Sequence, residues 1–399
     1  MPNTILTHQM IAREAAKMLV EEDTVVKNVN TERKREFGEE VNGYKKGDTV
    51  KVGIPPVPVT FDGPVFAGGG AAPDLNESFV NLTLDTQKHV ALTFTAKEKL
   101  LSLSNFRERF LQPAMQSLRS TMNADLLTRF ARATPNLVGT PGTIPNTRRT
   151  YGQARAVLNA RLAPVTDRSV LYSSDANLEL AEANQTLFND QKQVSEIYKE
   201  GAIGVYAGFN FWENQSMPVL ANGAGAGYVV NGANQTGSGL VVGTGTGALL
   251  RGQIFTLANV FAVHPITGAS TGKLRQFVVA ADYAGGAGTI QIFPAITPTT
   301  ASQIGTVTAS PANGVAVTLA GAASTGYRQN LAFQKDAFAA AFAPLPVLAG
   351  CEGYTATVKG VSVRVMTGGD FTNDRESTRI DVLYGSAAVR PDHSTRITE

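Results

Sequence analysis

A long, glycine-rich and nearly uncharged block in the second half of the chain most constrains its fold. Residues 221–330 hold 19 of the chain's 39 glycines. Only five of their side chains are charged: Arg251, Lys273, Arg275, Asp282 and Arg328. Short runs of alternating apolar and polar residues, at 275–283, 289–293 and 315–319, are separated by Gly, Pro and Ser turns. This pattern is typical of strands and predicts a small all-β domain.

The ends of this block indicate that it is an insertion into a host domain. They are glycine-rich, at 221–227 and 321–326, as expected where an inserted domain leaves and rejoins its host. The block also has the length of an independent domain, so we expect a β-barrel that folds by itself. The residues expected in its core are Phe277, Val279, Ile290, Ile292 and Val317.

The host sequence mixes helix and strand patterns. Pro113 suits the first turn of a long helix over 113–134, because its missing N–H is not needed there. Apolar side chains follow every three or four residues in this segment: Met115, Leu118, Met122, Leu126 and Phe130. Shorter helices are predicted over 96–103, 104–111, 151–162, 175–188 and 193–201, and strands over 169–174 and 203–215. Strands in 331–399 are expected to complete the α+β core that begins in 95–220.

The first 50 residues read as a polar arm. Residues 8–22 form an amphipathic helix pattern, with Ile11, Ala15 and Met18 on one face, and such a helix needs a surface to lie on. Residues 1–50 carry eight basic and nine acidic side chains, with the charges concentrated in 31–40. This stretch is either a solvated surface or an arm that pairs its charges with neighbouring chains.

Residues 51–94 predict a long β-hairpin. Two alternating runs, 49–61 and 78–94, flank a tip rich in proline and glycine. Prolines in the first run exclude a central place in a sheet, so the hairpin is an edge or projecting element. It has too little apolar surface to be a domain, and we expect its partners on another subunit.

Composition excludes several classes of protein. Hydrophobic residues make up 43% of the chain and charged residues 17%, so enough apolar surface exists for a folded core. The net charge of +2 is too small for a protein that binds phosphates over its whole surface. A single cysteine, Cys351, excludes an internal disulfide framework. No signal peptide or membrane-spanning run is apparent, and we expect synthesis in a cytoplasm.

The motif fragments do not assemble into a catalytic, cofactor-binding or metal site. Gly268–Gly272 matches a nucleophile-elbow pattern around Ser270, but it lies in a predicted β domain without the following acid and histidine. Gly243–Ala248 resembles a dinucleotide fingerprint, but the acid expected about 20 residues later is absent. The four histidines show no i, i+4 pair for metal binding. Cys351 and Trp212 are expected in the core, and the site prediction is that there is none.

Particular segments, in their order along the chain, resemble the coat proteins of short-tailed phages that carry an inserted β domain. The closest are Leu331–Phe338 (LAFQKDAF) and Arg379–Gly385 (RIDVLYG), followed by Ala248–Thr256, Leu274–Phe277 and the strand at Gly208–Phe209. These coat proteins share the Johnson fold of tailed-phage and herpesvirus capsids. The resemblance implies an N-terminal arm (1–50), an extended loop (51–94), a spine helix (113–134), and peripheral and axial domains built from 95–220 and 331–399 around the insertion (221–330).

The function implied by this resemblance is that of a major capsid protein. Such subunits form the hexamers and pentamers of an icosahedral head, around a scaffolding protein and with a portal at one vertex. Double-stranded DNA contacts the inner surface without sequence specificity, decoration proteins can bind outside, and no membrane is involved. Two alternatives remain at this point: a virion decoration or tail structural protein, and a hydrolase that uses Ser270.

Overall fold

The computed structural model describes residues 8–31, 49–55, 58, 63–65, 77–95, 110–184, 204–299, 305–370 and 375–399. The chain divides into two compact units, each made of separate segments. The first unit comprises Met1–Val52, Val80–Leu126 and Phe338–Val389, and the second Gly53–Phe79, Leu127–Ala337 and Arg390–Glu399. Most of the charged stretch 31–40, and the helices predicted at 96–103, 104–111 and 193–201, lie outside the described residues, apart from the last two residues of 104–111.

Helices form where the apolar residues recur at helical spacing. Their bounds are α1 His8–Glu22, α2 Thr24–Asn28, α3 Gln112–Ala133, α4 Arg148–Ala160 and α5 Ser174–Asn184. The helix α3 matches the predicted spine helix to within one residue at each end. It contributes Met115, Leu118, Met122 and Leu126 to the buried residues of the first unit, and Leu127 and Phe130 to those of the second.

The first unit is built on a five-stranded antiparallel sheet. Its strands are β3 Thr86–Thr95, β16 Phe338–Ala343, β17 Glu352–Val358, β18 Val361–Asp370 and β19 Arg375–Ala388. The long strand β19 is central. On one edge it pairs with β3 along residues 375–384, and on the other it pairs with β18 along 375–381 and with β16 along 383–388. A strand of this length can hold two partners end to end on the same side.

The helix α1 lies against β17 and β18 of this sheet and buries Ala12, Ala15, Met18 and Leu19. This is the surface that the amphipathic pattern required. At Asp23 the chain turns into α2, where the carboxylate accepts hydrogen bonds from the backbone N–H groups of Val25 (2.7 Å) and Val26 (3.0 Å). The side-chain amide of Asn123, on α3, donates to the same carboxylate at 2.8 Å. These bonds tie the arm to the spine helix.

A separate two-stranded sheet joins β1 Thr49–Ile54 and β2 Ser78–Thr83. The strand β3 was predicted to belong to this hairpin, and that prediction is wrong, because β3 pairs with β19. Period-two alternation shows that a segment is a strand but does not identify its partner. Because β3 pairs with β19 over ten residues, the β1–β2 hairpin ends near residue 83.

The second unit contains a seven-stranded sheet in the order β4-β20-β15-β5-β7-β6, with β8 also pairing with β15. Its strands are β4 Leu137–Val138, β5 Arg168–Tyr172, β6 Val205–Tyr206, β7 Phe209–Glu213, β8 Val219–Ala221, β15 Gly326–Gln334 and β20 Ser394–Thr398. The segment 203–215, predicted as one strand, is the tight hairpin β6–β7, because Ala207 and Gly208 both have positive φ. Tyr151 and Leu158 of α4 pack with Phe209, Phe211 and Ile397 in the core.

The inserted block forms a six-stranded sheet in the order β14-β11-β12-β13-β10-β9. Its strands are β9 Ala226–Val230, β10 Gly237–Thr246, β11 Ile254–Val263, β12 Ser270–Val279, β13 Gly288–Ile296 and β14 Val317–Leu319. The sheet closes on itself, because Val230 on β9 donates to the Val315 carbonyl (2.8 Å) next to β14. All five residues predicted for the core are buried. The predicted β-barrel is confirmed.

The first testable prediction concerns Asp23, which is 1% exposed. Burial raises the pKa of this carboxyl to about 6, although the backbone N–H groups of Val26 and Val25 and the charge of Arg119 oppose the rise. The ionised form is therefore less favourable in the folded protein than in the unfolded chain above about pH 4. Asp23→Asn keeps a capping oxygen and removes the buried charge. Relative to the wild type, its free energy of unfolding should rise by about 3 kcal/mol between about pH 3.5 and about pH 7.5.

Urea unfolding at several pH values measures this difference. Asp175→Asn, which removes an exposed carboxylate, is the control for the general effect of one charge. An Asp23→Asn variant whose stability follows that of the wild type at every pH would contradict the prediction.

Candidate assembly site

The residues that the sequence singled out for chemistry have structural surroundings. Ser270 is exposed at the start of β12, in the tight connection from β11, and its hydroxyl accepts a hydrogen bond from the N–H of Gly272 (3.2 Å). His264, in the same connection, accepts from the N–H groups of Ile266 and Thr267 with its Nδ1 (3.4 and 3.3 Å). The Ser270 hydroxyl is thus part of a local turn.

The glycine run 243–248 lies along β10 and continues just beyond it, and it serves packing. Gly245 has φ +127°, and a Cβ atom at this position would lie 2.2 Å from the ring of Tyr228. The Tyr228 hydroxyl donates to the carbonyl of Gly247, so the ring is fixed against this stretch of backbone. Close approach to an aromatic ring explains Gly245 without a phosphate group.

Cys351 and Trp212 were predicted to be core residues, and both are only half-buried. In β7 the buried positions belong to Phe209 and Phe211, and Trp212 lies on the opposite face of the strand. Cys351 is a free thiol beside Gly368. Among the described residues no group of three or more His, Cys, Asp or Glu side chains is placed to hold a metal ion.

The surface best suited to contact another molecule is the β1–β2 hairpin. Val52 and Leu82 are its buried residues, and the hydroxyls of Thr49 and Thr83 lie 3.0 Å apart. Phe79, on β2, is 58% exposed, with its ring edge over Gly53. A two-stranded sheet is marginally stable alone, and an exposed aromatic side chain is typical of an interface. Most of the tip, 60–75, lies outside the described residues, and the Val65 within it is 59% exposed.

The segment Arg379–Gly385, singled out by resemblance, forms a buried charge network in the first unit. Asp381 is fully buried and accepts from Arg364 Nε (2.9 Å) and Nη2 (2.5 Å) and from Gln87 Nε2 (2.7 Å). Arg379 Nε lies 3.2 Å from the same carboxylate. The network joins β3, β18 and β19. Its signal in the sequence is the acid inside the apolar run 380–383, a role that the sequence prediction missed.

Two further residues of this segment also have defined roles. The Tyr384 hydroxyl donates to Asp125 of α3 at 2.8 Å and so joins the sheet to the spine helix. At Gly385 a Cβ atom would lie 1.9 Å from the carbonyl oxygen of Thr83, so no larger residue fits without a shift of the backbone. The segment therefore fixes how the central strand meets its neighbours.

Leu331–Phe338, the other segment of close resemblance, carries the chain from the second unit to the first. Leu331 and Phe333 are buried on β15 and Phe338 on β16. Between these strands Gln334 accepts from the N–H of Asp336 (2.8 Å) and Lys335 donates its N–H to the carbonyl of Asp167 (3.0 Å). The polar residues of the segment form the turn and its apolar residues enter the two cores.

The sequence matches the family described as "P22 coat protein - gene protein 5" over residues 56–239 and 237–395, which is most of its length. The chain belongs to the P22 coat protein family. It is accordingly a major capsid protein of the tailed-phage type, which forms the shell of the phage head, and its place is the virion. No curated protein matches the sequence.

One of the similar solved structures has a TM-score above 0.5 and agrees on the fold. A structure from Mycobacterium phage Che8 is similar with a TM-score of 0.52 at 12% identity, covering 94% of this chain and 90% of that one. The capsid of Cyanophage P-SCSP1u gives 0.44 at 12% identity, with 90% of each chain covered. The mature capsid of bacteriophage PhiM1 gives 0.42 at 10%, with 90% and 89% covered. Within the described residues, no helix is long and apolar enough to span a membrane.

The second prediction tests the charge network of Asp381. In Asp381→Asn the buried Arg364 loses its counterion, which typically costs about 3–5 kcal/mol. Asp175→Asn breaks an exposed ion pair with Arg328 and should cost no more than about 1 kcal/mol. Chemical unfolding measures both losses. If the two variants lose the same small amount, the Asp381 network does not hold the sheet together.

Proposed function

We propose that the subunit assembles as the hexamers and pentamers of an icosahedral head, in the cytoplasm of a host bacterium. The family match over 56–239 and 237–395 carries this proposal. Scaffolding protein would guide assembly and a portal would occupy one vertex. A net charge of +2 suits the close packing of many copies, because a strong field of one sign would make the subunits repel each other.

Packaged double-stranded DNA would contact the inner surface through phosphates and without reading bases. The small net charge supports weak, local contacts, because strong phosphate binding needs a concentrated basic surface. A decoration protein would bind the outer surface. No residue is assigned to either contact.

A purely structural role, without catalysis, is part of the same proposal. The Ser270 hydroxyl is engaged in a turn, and His264 directs its Nδ1 at backbone N–H groups. Nucleophilic catalysis needs a base within hydrogen-bonding distance of the nucleophile and an oxyanion site beside it. The surroundings of Ser270 support neither requirement.

The domain division is proposed as follows. The arm (1–50), the peripheral and axial core (95–220 and 331–399) and the insertion (221–330) keep the bounds predicted from the sequence. The extended loop, predicted as 51–94, is shortened at its second strand, because residues 86–95 belong to the sheet of the first unit. The insertion begins and ends where β8 and β15 pair, with Leu220 opposite Tyr327.

The third prediction concerns the hairpin as an intersubunit contact. Deleting residues 60–75, or changing the exposed Phe79 to Ser, should leave a folded subunit that does not form closed shells. Each change removes apolar surface that the neighbouring subunit would contact. Circular dichroism tests folding, and sedimentation with negative-stain microscopy tests assembly in the presence of scaffolding protein. Ser270→Ala and Cys351→Ala are the matched controls and should form normal shells. Normal shells from the deletion would contradict the proposed contact.

The fourth prediction is that residues 221–330 fold alone. The barrel has its own core, in which Phe255 and Phe277 stack with their ring centroids 5.6 Å apart. Expressed separately, it should give dispersed amide NMR signals and one cooperative thermal transition. A spectrum of a disordered chain would mean that the barrel needs the host, and would move the proposed domain boundary.

A further inference from the structure

A small polar cavity lies in the second unit, where the insertion leaves and rejoins its host. The space open to the centre of a water-sized particle is about 20 Å³. Both connections of the insertion contribute to its wall, through 220–222 and Ala320. The cavity is also lined by Gln253, Gln329, Arg396 and Thr398. A volume of this size holds one or two water-sized particles, because one water needs about 10–15 Å³ by this measure.

Arg396 supplies the charge of this cavity. It lies on β20, opposite Leu331 of β15 and beside Leu137 of β4, and is 3% exposed. Its Nε and Nη2 atoms are buried and make no hydrogen bond with the described residues. Burial lowers the pKa of Arg396 to about 9, which still leaves the guanidinium charged at neutral pH. A buried cation without a counterion is among the costliest groups that a fold can contain.

Two glutamines direct further unpartnered atoms into the same region. Gln253 is held by its Oε1, which accepts from the N–H groups of Leu250 (3.1 Å) and Gly223 (3.3 Å), and its buried Nε2 has no partner among the described residues. Gln329 donates a hydrogen bond from its Nε2 to Thr398 Oγ1 (3.2 Å). Its buried Oε1 accepts no hydrogen bond from the described residues. The cavity thus gathers three unpartnered donor nitrogens and one acceptor oxygen.

No acidic side chain is among the residues that line the cavity. The guanidinium of Arg275 is equally buried, but it pairs with the carboxylate of Asp392 at 2.6 Å. Arg396 has the same burial and no such carboxylate. The positive charge of Arg396, uncompensated among the described residues, favours a bound negative group.

We propose that the cavity binds a small monovalent anion of the size of chloride, held by Arg396 and Gln253. The space of about 20 Å³ matches an ion little larger than a water molecule. A water molecule would fit and could serve the donors and Gln329 Oε1, but it would leave the charge of Arg396 uncompensated. The anion contacts the host strand β20 and the insertion together, so its binding stabilises the connection between them.

The first experiment compares the thermal unfolding of the full-length subunit in sodium chloride and in sodium gluconate at equal ionic strength. Gluconate is too large for the cavity and serves as the inert anion. Because the anion binds the folded protein, saturating chloride should raise the Tm of the wild type by about 2–4 °C. Arg149→Gln, a change of an exposed arginine on α4, is the matched control and should keep this rise.

The second experiment replaces the anion by a side chain. Gln253→Glu retains an oxygen for the N–H groups of Leu250 and Gly223 and places its other oxygen where Nε2 stood, facing the cavity. This variant should lose the dependence of its Tm on chloride and be as stable in gluconate as the wild type is in chloride. This variant adds a favourable pair and keeps Arg396, so the test does not depend on a variant that removes the buried arginine.

The third experiment locates the ion. Crystals of the subunit grown with bromide should show an anomalous peak beside the Arg396 guanidinium. A Tm that is the same in chloride and gluconate, a Gln253→Glu variant with the chloride dependence of the wild type, or the absence of a peak at Arg396 would each overturn the proposal. The last result would mean that the cavity holds water only.

Discussion

The second unit depends on strand β15, because three strands from distant parts of the sequence form hydrogen bonds with it. β5 (168–172) precedes the insertion, β8 (219–221) leads into it, and β20 (394–398) comes from the end of the chain. β15 itself begins where the insertion ends. The sheet is therefore complete only when the barrel returns the chain to the host. Closing so long a loop costs entropy, and a barrel whose ends are held together by β8 and β15 reduces that cost.

Buried charges connect elements that come from different places in the sequence, and their energies differ with their partners. Asp381 and Arg364 compensate each other inside the first unit, and Arg275 is paired with Asp392 inside the second. Burial alone would raise the pKa of Asp392, but the charges of Arg275 and Arg161 lower it below its ordinary value. Removing one partner of such a pair leaves the other unpaired, which is why these residues tolerate little change. Arg396 differs because its buried Nε and Nη2 atoms have no partner among the described residues.

Assembly makes a different demand on the molecule. Cores in the two units and the barrel bury the large apolar side chains, yet the β1–β2 hairpin presents Phe79 and Val65 to solvent. A two-stranded sheet is only marginally stable alone, so the proposed contact with a neighbouring subunit would stabilise it. An exposed, weakly stable element of this kind fits a shell subunit of the P22 coat protein family, because such a subunit assembles through contacts with other copies of itself.

The sequence by itself determined the elements and their order: the spine helix, the alternation of the strands, the insertion with its core residues Phe277 and Ile290, and the membership of the family. These features are local, because periodicity and turn residues act within a few positions. Only the tertiary structure decided that β3 pairs with β19, that Trp212 lies outside the core while Phe211 lies inside, and that Asp23 meets Asn123. Strand partners and buried charges are chosen by groups that lie well apart in the sequence, and no local pattern records that choice. Arg396 is a case of the same kind. Only the fold, which brings β20 close to Gln253 where the insertion joins its host, shows that this arginine has no carboxylate partner among the described residues.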